Sequence, residues 1–165
     1  MTMPHPPAPG PADLSYEPWK GEAAALAGAA AAGRRAAVWI RSLPAPPAPT
    51  PARAWLVGDL AGAVEHAMAA LDPQDCDHTD AHGRAVDGEG GVDPVTKSTL
   101  AVVPCVVADA AWLTVDQQVR LLAITSAVTG AARVLAHDPD TALRHDLLAR
   151  LCVVLDHAAR PDGAG

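Results

Sequence analysis

Prolines restrict where this chain can form helices more than any other feature of its sequence. A proline inside a helix removes a backbone hydrogen bond and clashes with the preceding turn. The 16 prolines of the 165-residue chain are dense in residues 1–18 and again in residues 44–52, whereas residues 19–43 contain none. We therefore predict a disordered tail over 1–18, an Ala-rich helix over 19–43 and a polyproline spacer over 44–52.

The spacer over residues 44–52 separates the Ala-rich helix from the rest of the chain. We interpret it as a plain linker, with a ligand for an aromatic-lined groove of the SH3 type as the alternative. We expect the first fifty or so residues to lie outside the packed core. Residues 53–160 should then form a helical domain, followed by a short tail over 161–165.

Apolar side chains in residues 53–160 recur at intervals of three and four, which is typical of amphipathic helices. One stripe consists of Leu56, Leu60, Val64, Met68 and Leu71, and another of Leu143, Leu147, Leu151 and Leu155. A helix over 115–137 is predicted to begin at a capping box formed by Thr114 and Gln117. The acids and proline of residues 138–140 should cap the last helix. The pattern predicts an all-α fold, a helical bundle of four or five helices.

The sequence allows two interpretations of the secondary structure of residues 95–112. The segment is rich in β-branched Val and contains Pro104. A helix broken or kinked near Pro104 is one interpretation, and a buried strand is the alternative. Cys105 lies among valines and Cys152 lies between Leu151 and Val153, so both cysteines are expected to be small buried residues.

Charge is concentrated in one segment of the sequence. Residues 72–93 contain seven acids and one base, which accounts for most of the formal net charge of −7. We interpret this segment as an acidic loop, because it has no helical or strand periodicity. The last helix has acids and bases spaced to form ion pairs four residues apart, namely Asp140 with Arg144, Asp146 with Arg150, and Asp156 with Arg160.

The acidic loop also contains the densest group of possible metal ligands. Cys76, His78, Asp80 and His82 supply thiolate, imidazole and carboxylate groups within residues 75–82. Such groups bind Zn²⁺ or another divalent metal. The paired Cys-x-x-Cys spacing of structural zinc sites is missing, so a solvated loop without metal is the competing interpretation and the one we favour.

The Ala-rich helix contains the residues we consider for partner binding. Trp39, with Val38, Ile40 and the basic Arg35, could form an apolar surface edged by positive charge. Core packing is the competing interpretation for Trp39. The chain has no Phe and four Trp, so tryptophans are the largest apolar groups from which a core can be built.

Several classes of protein are not expected. Lys and Arg are not clustered densely enough to predict nucleic-acid binding. The first residues do not resemble a secretory signal, and no apolar run has the length of a membrane span. Abundant Ala, Gly, Pro and Arg with no Asn are typical of a GC-rich bacterial genome. We therefore expect a cytoplasmic bacterial protein.

The sequence has none of the common catalytic or nucleotide-binding motifs. Our favoured hypothesis is a non-enzymatic protein with a regulatory or accessory role and no cofactor. It would bind a protein partner or a second copy of itself through helical surfaces. The alternative is a metal-binding or metal-sensing protein that uses residues 75–82. A third hypothesis is a small helical enzyme whose groups, such as Glu65 and His66, meet only in the folded chain.

Overall fold

The computed structural model describes residues 18–71, 92, 94–135 and 141–161, and every regular element in them is helical. The helices are α1 (Pro18–Ser42), α2 (Pro51–Trp55), α3 (Ala61–Ala69), α4 (Pro94–Ala101), α5 (Val103–Asp109), α6 (Val115–Leu135) and α7 (Thr141–Ala158). A π-helical turn, Leu56–Leu60, joins α2 to α3. Counting α2–α3 and α4–α5 as one rod each, the described residues form five rods, which confirms the predicted all-α bundle.

Helix α1 lies inside the bundle and packs most extensively on α7 and α3, while α6 packs on α7 and α5. The buried side chains of α1 are Leu26, Ala29, Ala32, Ala36, Ala37, Trp39 and Ile40. The expectation that the first fifty or so residues lie outside the packed core is therefore wrong for α1. The spacer does not hold this helix away from the domain, because the chain turns back after Leu43 and brings α3 and the π-helical turn before it against α1.

A glycine explains how closely α1 approaches α3. A Cβ atom placed on Gly33 would lie 2.6 Å from both Cβ and Cγ of Met68. Any larger residue would push the two helices apart, so the loss of helix propensity at Gly33 is offset by close packing. Gly28, one turn earlier in α1, has nothing within 4 Å of the same position.

The segment over residues 95–112 is helical as far as Asp109, so its interpretation as a helix broken near Pro104 is confirmed. The break falls at Val102, between α4 and α5. Pro104 then lies in the first turn of α5, where a backbone N–H would have no hydrogen-bond partner within the helix, so its absence in proline costs nothing. The alternative of a buried strand is wrong for this segment.

The predicted capping box at the start of α6 is present. The backbone N–H of Gln117 donates to the hydroxyl of Thr114 over 3.2 Å, and the backbone N–H of Thr114 donates to Gln117 Oε1 over 3.1 Å. Two backbone donors at the helix N-terminus are thus satisfied within three residues. Helix α6 ends at Leu135, and residues 136–140, with the predicted cap of the last helix, lie outside the described residues.

The buried face of α7 differs from the predicted leucine stripe. Leu151 and Leu155 are buried as expected, but Leu143 is 48% exposed and Leu148 is fully buried. The predicted pair of Asp146 and Arg150 is present at 2.8 Å. Because α7 is covered by both α1 and α6, its buried arc is wider and turned relative to a stripe with intervals of four.

Both described cysteines were expected to be buried, and one of them is not. Cys105 is exposed, so its interpretation as a buried residue is wrong, whereas Cys152 is half-buried. Helix α5 buries Val103 and Val107 on its inner side, and Cys105 falls on the opposite side. Apolar neighbours in the sequence therefore did not predict burial in this short helix.

Candidate functional site

The structure separates the four residues predicted to bind a partner. Trp39 and Ile40 are buried, with exposed fractions of 5% and 0%. Val38 is 62% exposed, and Arg35 is also exposed. Adjacent residues on a helix point about 100° apart, so Trp39 and Ile40 turn inward while Val38 turns outward. Of the four, only Arg35 and Val38 lie where a partner could contact their side chains.

Trp39 is held inside the bundle by Arg120 of α6. The guanidinium carbon of Arg120 lies 4.3 Å from the centroid of the Trp39 ring, a cation–π contact. Arg120 also donates from Nε to the carbonyl of Ala158 over 2.6 Å and from Nη2 to the carbonyl of Arg160. Ala158 is the last residue of α7 and Arg160 follows it closely, so Arg120 places a positive charge at the C-terminus of this helix, where it is favourable. Trp39 therefore contributes to the packing of α1 against α6 and α7.

The outward side of α1 and the adjoining side of α7 form a continuous surface, which we name the α1–α7 face. Its apolar members are Ala24, Ala27, Ala31 and Val38 of α1 with Ala149 and Val153 of α7, and its charged members are Arg34, Arg35, Asp146 and Asp156. All of these are exposed except Ala31, which is half-buried. Val38 and Val153 are 62% and 68% exposed, the largest apolar side chains on this face.

An ion pair joins the two helices at the seam of the α1–α7 face. Arg35 Nε donates to Asp156 Oδ1 over 2.8 Å, and Arg35 Nη2 lies 2.7 Å from the same oxygen. The two side chains are 54% and 47% exposed, so water screens the pair and its net stabilisation is about 0.2–1 kcal/mol. The sequence pattern assigned Arg160 to Asp156, but the structure gives Asp156 a partner on α1.

Cys152 lies close to this ion pair but is not activated by it. Burial raises the pKa of the Cys152 thiol, and the charge of Asp156 raises this pKa further, while Arg35 opposes the shift. The thiol therefore stays protonated at neutral pH and is a weak nucleophile.

Glu65, one of the groups considered for catalysis, is held by Arg41. The Arg41 guanidinium donates to both carboxylate oxygens of Glu65, over 3.0 and 2.8 Å. These hydrogen bonds hold the pKa of the Glu65 carboxyl below its usual range, against an opposing contribution from burial. A carboxylate stabilised in this way is a poor proton acceptor. His66 is exposed on the following position of α3.

The predicted metal ligands Cys76, His78, Asp80 and His82 lie outside the described residues, as does the acidic loop apart from Val92. Within residues 18–71, 92, 94–135 and 141–161, no group of three or more His, Cys, Asp or Glu side chains is arranged to hold a metal ion. Metal binding by residues 75–82 stays a prediction.

Sequence reasoning missed Val153 and Asp156 as parts of a candidate surface. One signal was present, since Val153 and Val154 are consecutive β-branched residues in a helix that already buries Leu151 and Leu155. At least one of the two valines had to point away from the core. No signal in the sequence identified α1 as the helix beside them.

Comparisons with known proteins give this chain no relative. No protein-family model matches it, and no curated protein or solved structure is significantly similar to it. None of the helices in the described part of the chain combines the length and the apolarity that a membrane span requires.

Proposed function

We propose that this chain is a non-enzymatic protein with a regulatory or accessory role that binds a protein partner through the α1–α7 face. The observation that supports this most directly is the exposure of Val38 and Val153, at 62% and 68%, on two adjoining helices. Scattered exposed valines are normal in a folded protein. Apolar side chains gathered on a surface of two long helices are typical of binding sites.

The charges of the α1–α7 face favour the same proposal. Arg35 and Asp156 pair with each other across the seam, so a partner that covers them does not bury an unpaired charge at that point. The Ala and Val side chains of the face lose little conformational entropy when a partner contacts them. The exposed Arg34 adds a positive charge among them, which a partner would have to match with an acid or leave in water.

Val115 and Val119 on α6 provide a matched comparison on another surface. They are 75% and 57% exposed and lie one turn apart, but Asp116 and Gln118 stand beside them on the first turn of a single helix. A substitution at Val115 therefore tests exposure alone, without the two-helix surface.

Site-specific photo-crosslinking in cells that express the protein tests the proposal. A photoreactive residue replaces Val38, Val153 or, as the control, Val115. We expect adducts of one common mass at Val38 and Val153, identified by mass spectrometry as a single protein, with no such adduct at Val115. The absence of adducts at both face positions, or the same adducts at Val115, would refute binding through this face.

Asp substitutions then test whether the contact is required. Val38→Asp and Val153→Asp each place a charge on the apolar part of the face and should prevent the adduct formed at the other position. Val115→Asp should leave it unchanged. Circular dichroism of each variant confirms that the helices are retained.

A further inference from the structure

We infer that the partner of the α1–α7 face is a second copy of this chain, which binds in a symmetric dimer. This inference rests on the proposed function and names the occupant of the same face. It follows from the way positive and negative charge are placed on the two helices.

Helices α1 and α7 run in the same direction. Near their N-termini, a Cβ atom placed on Gly21 would lie 3.8 Å from Cε1 of His145, and further along both helices Arg35 pairs with Asp156. The two charges of the seam therefore lie at the same height on neighbouring parallel helices. The positive charge belongs to α1 and the negative charge to α7.

This placement of charge is self-complementary. A two-fold axis that runs along the seam, parallel to both helices, puts α1 of one copy over α7 of the other. Arg35 of each copy then faces Asp156 of the other, and the four groups alternate in sign around the axis. Each of these four charges gains a second opposite charge.

The apolar side chains match under the same rotation. With Arg35 and Asp156 at the same height, Ala27 and Ala31 of one α1 come to lie over Ala149 and Val153 of the other copy's α7, since both pairs are four residues apart and lie below the ion pair. Small side chains on both surfaces let the helix axes approach closely. Gly28 on α1 is half-buried, and nothing lies within 4 Å of its Cβ position, so there is room beside this part of the helix.

The size of the face sets the expected strength of the dimer. Helix α7 has 18 residues, which corresponds to about 27 Å at 1.5 Å per residue. Two helices about 10 Å wide then give a footprint on the order of 500 Å² for each copy. That is below the roughly 800 Å² per partner of a standard stable interface, so the dimer should dissociate in the micromolar range or above.

Charge reversal and mixing test the inference by sedimentation equilibrium over a range of concentrations. Arg35→Asp gives a copy with two acids at the seam, and Asp156→Arg gives a copy with two bases. Each variant alone should dimerise at least about 10-fold more weakly than the unaltered chain, because like charges oppose each other. An equimolar mixture should form a heterodimer about as tight as the dimer of the unaltered chain.

Two control variants separate the seam from net charge. Arg133→Asp on α6 and Asp109→Arg on α5 make the same changes of charge at exposed positions off the face, and both should dimerise like the unaltered chain. Circular dichroism checks that all four variants keep their helices. Recovery in the mixture also serves as a control for folding, because a variant that had lost its fold would not associate with the other variant either.

The outcomes also separate this inference from the proposed function. A monomer at every concentration reached, or a mixture that associates no better than its components, overturns the dimer. If crosslinks at Val38 and Val153 then identify a different protein, the proposed function stands with another occupant. If those crosslinks identify this chain itself, and the mixture recovers, the dimer is supported.

Discussion

The two sides of α1 are both rich in alanine but have opposite surroundings. The inward side presents Ala29, Ala32 and Ala36 with Ile40, all of them fully buried against α3 and α7. The outward side presents Ala24, Ala27 and Ala31 with Val38, together with the exposed Arg34 and Arg35. Alanine content alone therefore does not distinguish the buried side of this helix from its exposed side. The difference comes from which neighbours pack on it.

The largest expected difference between the two sides comes from shortening one branched side chain on each. Ile40→Ala should lower the free energy of unfolding by about 2–5 kcal/mol, because it leaves a cavity in the core. Val38→Ala, at 62% exposure, should change it by less than about 0.5 kcal/mol. Urea unfolding at low protein concentration measures both. Equal losses would mean that α1 does not distinguish the two sides.

The two glycines of α1 sharpen the comparison. Gly33→Ala places a methyl group 2.6 Å from Met68 Cβ and Cγ, and we expect a net loss of about 1–2 kcal/mol, since overpacking outweighs the gain in helix propensity. Gly28→Ala meets open space and should raise the free energy of unfolding by up to about 1 kcal/mol. Thermal unfolding monitored by circular dichroism compares the two. A stabilising Gly33→Ala would contradict the close contact between α1 and α3.

The smallest effect is expected at the edge of α1, where Arg41 pairs with Glu65. The pKa of Glu65 is lowered in the folded protein, so the pair stabilises the fold above the usual glutamate pKa and stops doing so as pH falls through the folded value. Both side chains are more than a third exposed, at 41% and 35%. With that screening, Glu65→Gln should cost about 0.2–1 kcal/mol at pH 7.

The pH dependence of this variant provides the check. The difference in unfolding free energy between the unaltered chain and Glu65→Gln should shrink as pH falls below about 4.3, the ordinary glutamate value. Urea unfolding at several pH values measures it. A difference that stays constant across this range would show that the ion pair with Arg41 is not its source. Asp146→Asn is the matched control, because it also removes one ion pair, the i,i+4 pair with Arg150 on the outer side of α7. The pH dependence of its unfolding free energy is compared with that of Glu65→Gln.

Features that depend on neighbouring residues were predicted well. The capping box of Thr114 and Gln117, the helix break before Pro104 and the pair of Asp146 with Arg150 all involve groups within four residues of one another. Their hydrogen bonds and steric limits are set by the local backbone. The same reasoning was wrong for Cys105, because apolar neighbours do not specify which side of a short helix is covered.

The sequence by itself determined that this chain is helical and where most of its described helices begin and end, because capping, proline sterics and helical periodicity act over a few residues. Only the tertiary structure decided that α1 belongs to the core, that Trp39 and Ile40 point inward, and that Val38 and Val153 are exposed on adjoining helices. Those outcomes depend on contacts between distant parts of the chain, such as Arg35 with Asp156, which are 121 residues apart. Such contacts form only when several helices pack at once, so no local pattern specifies them.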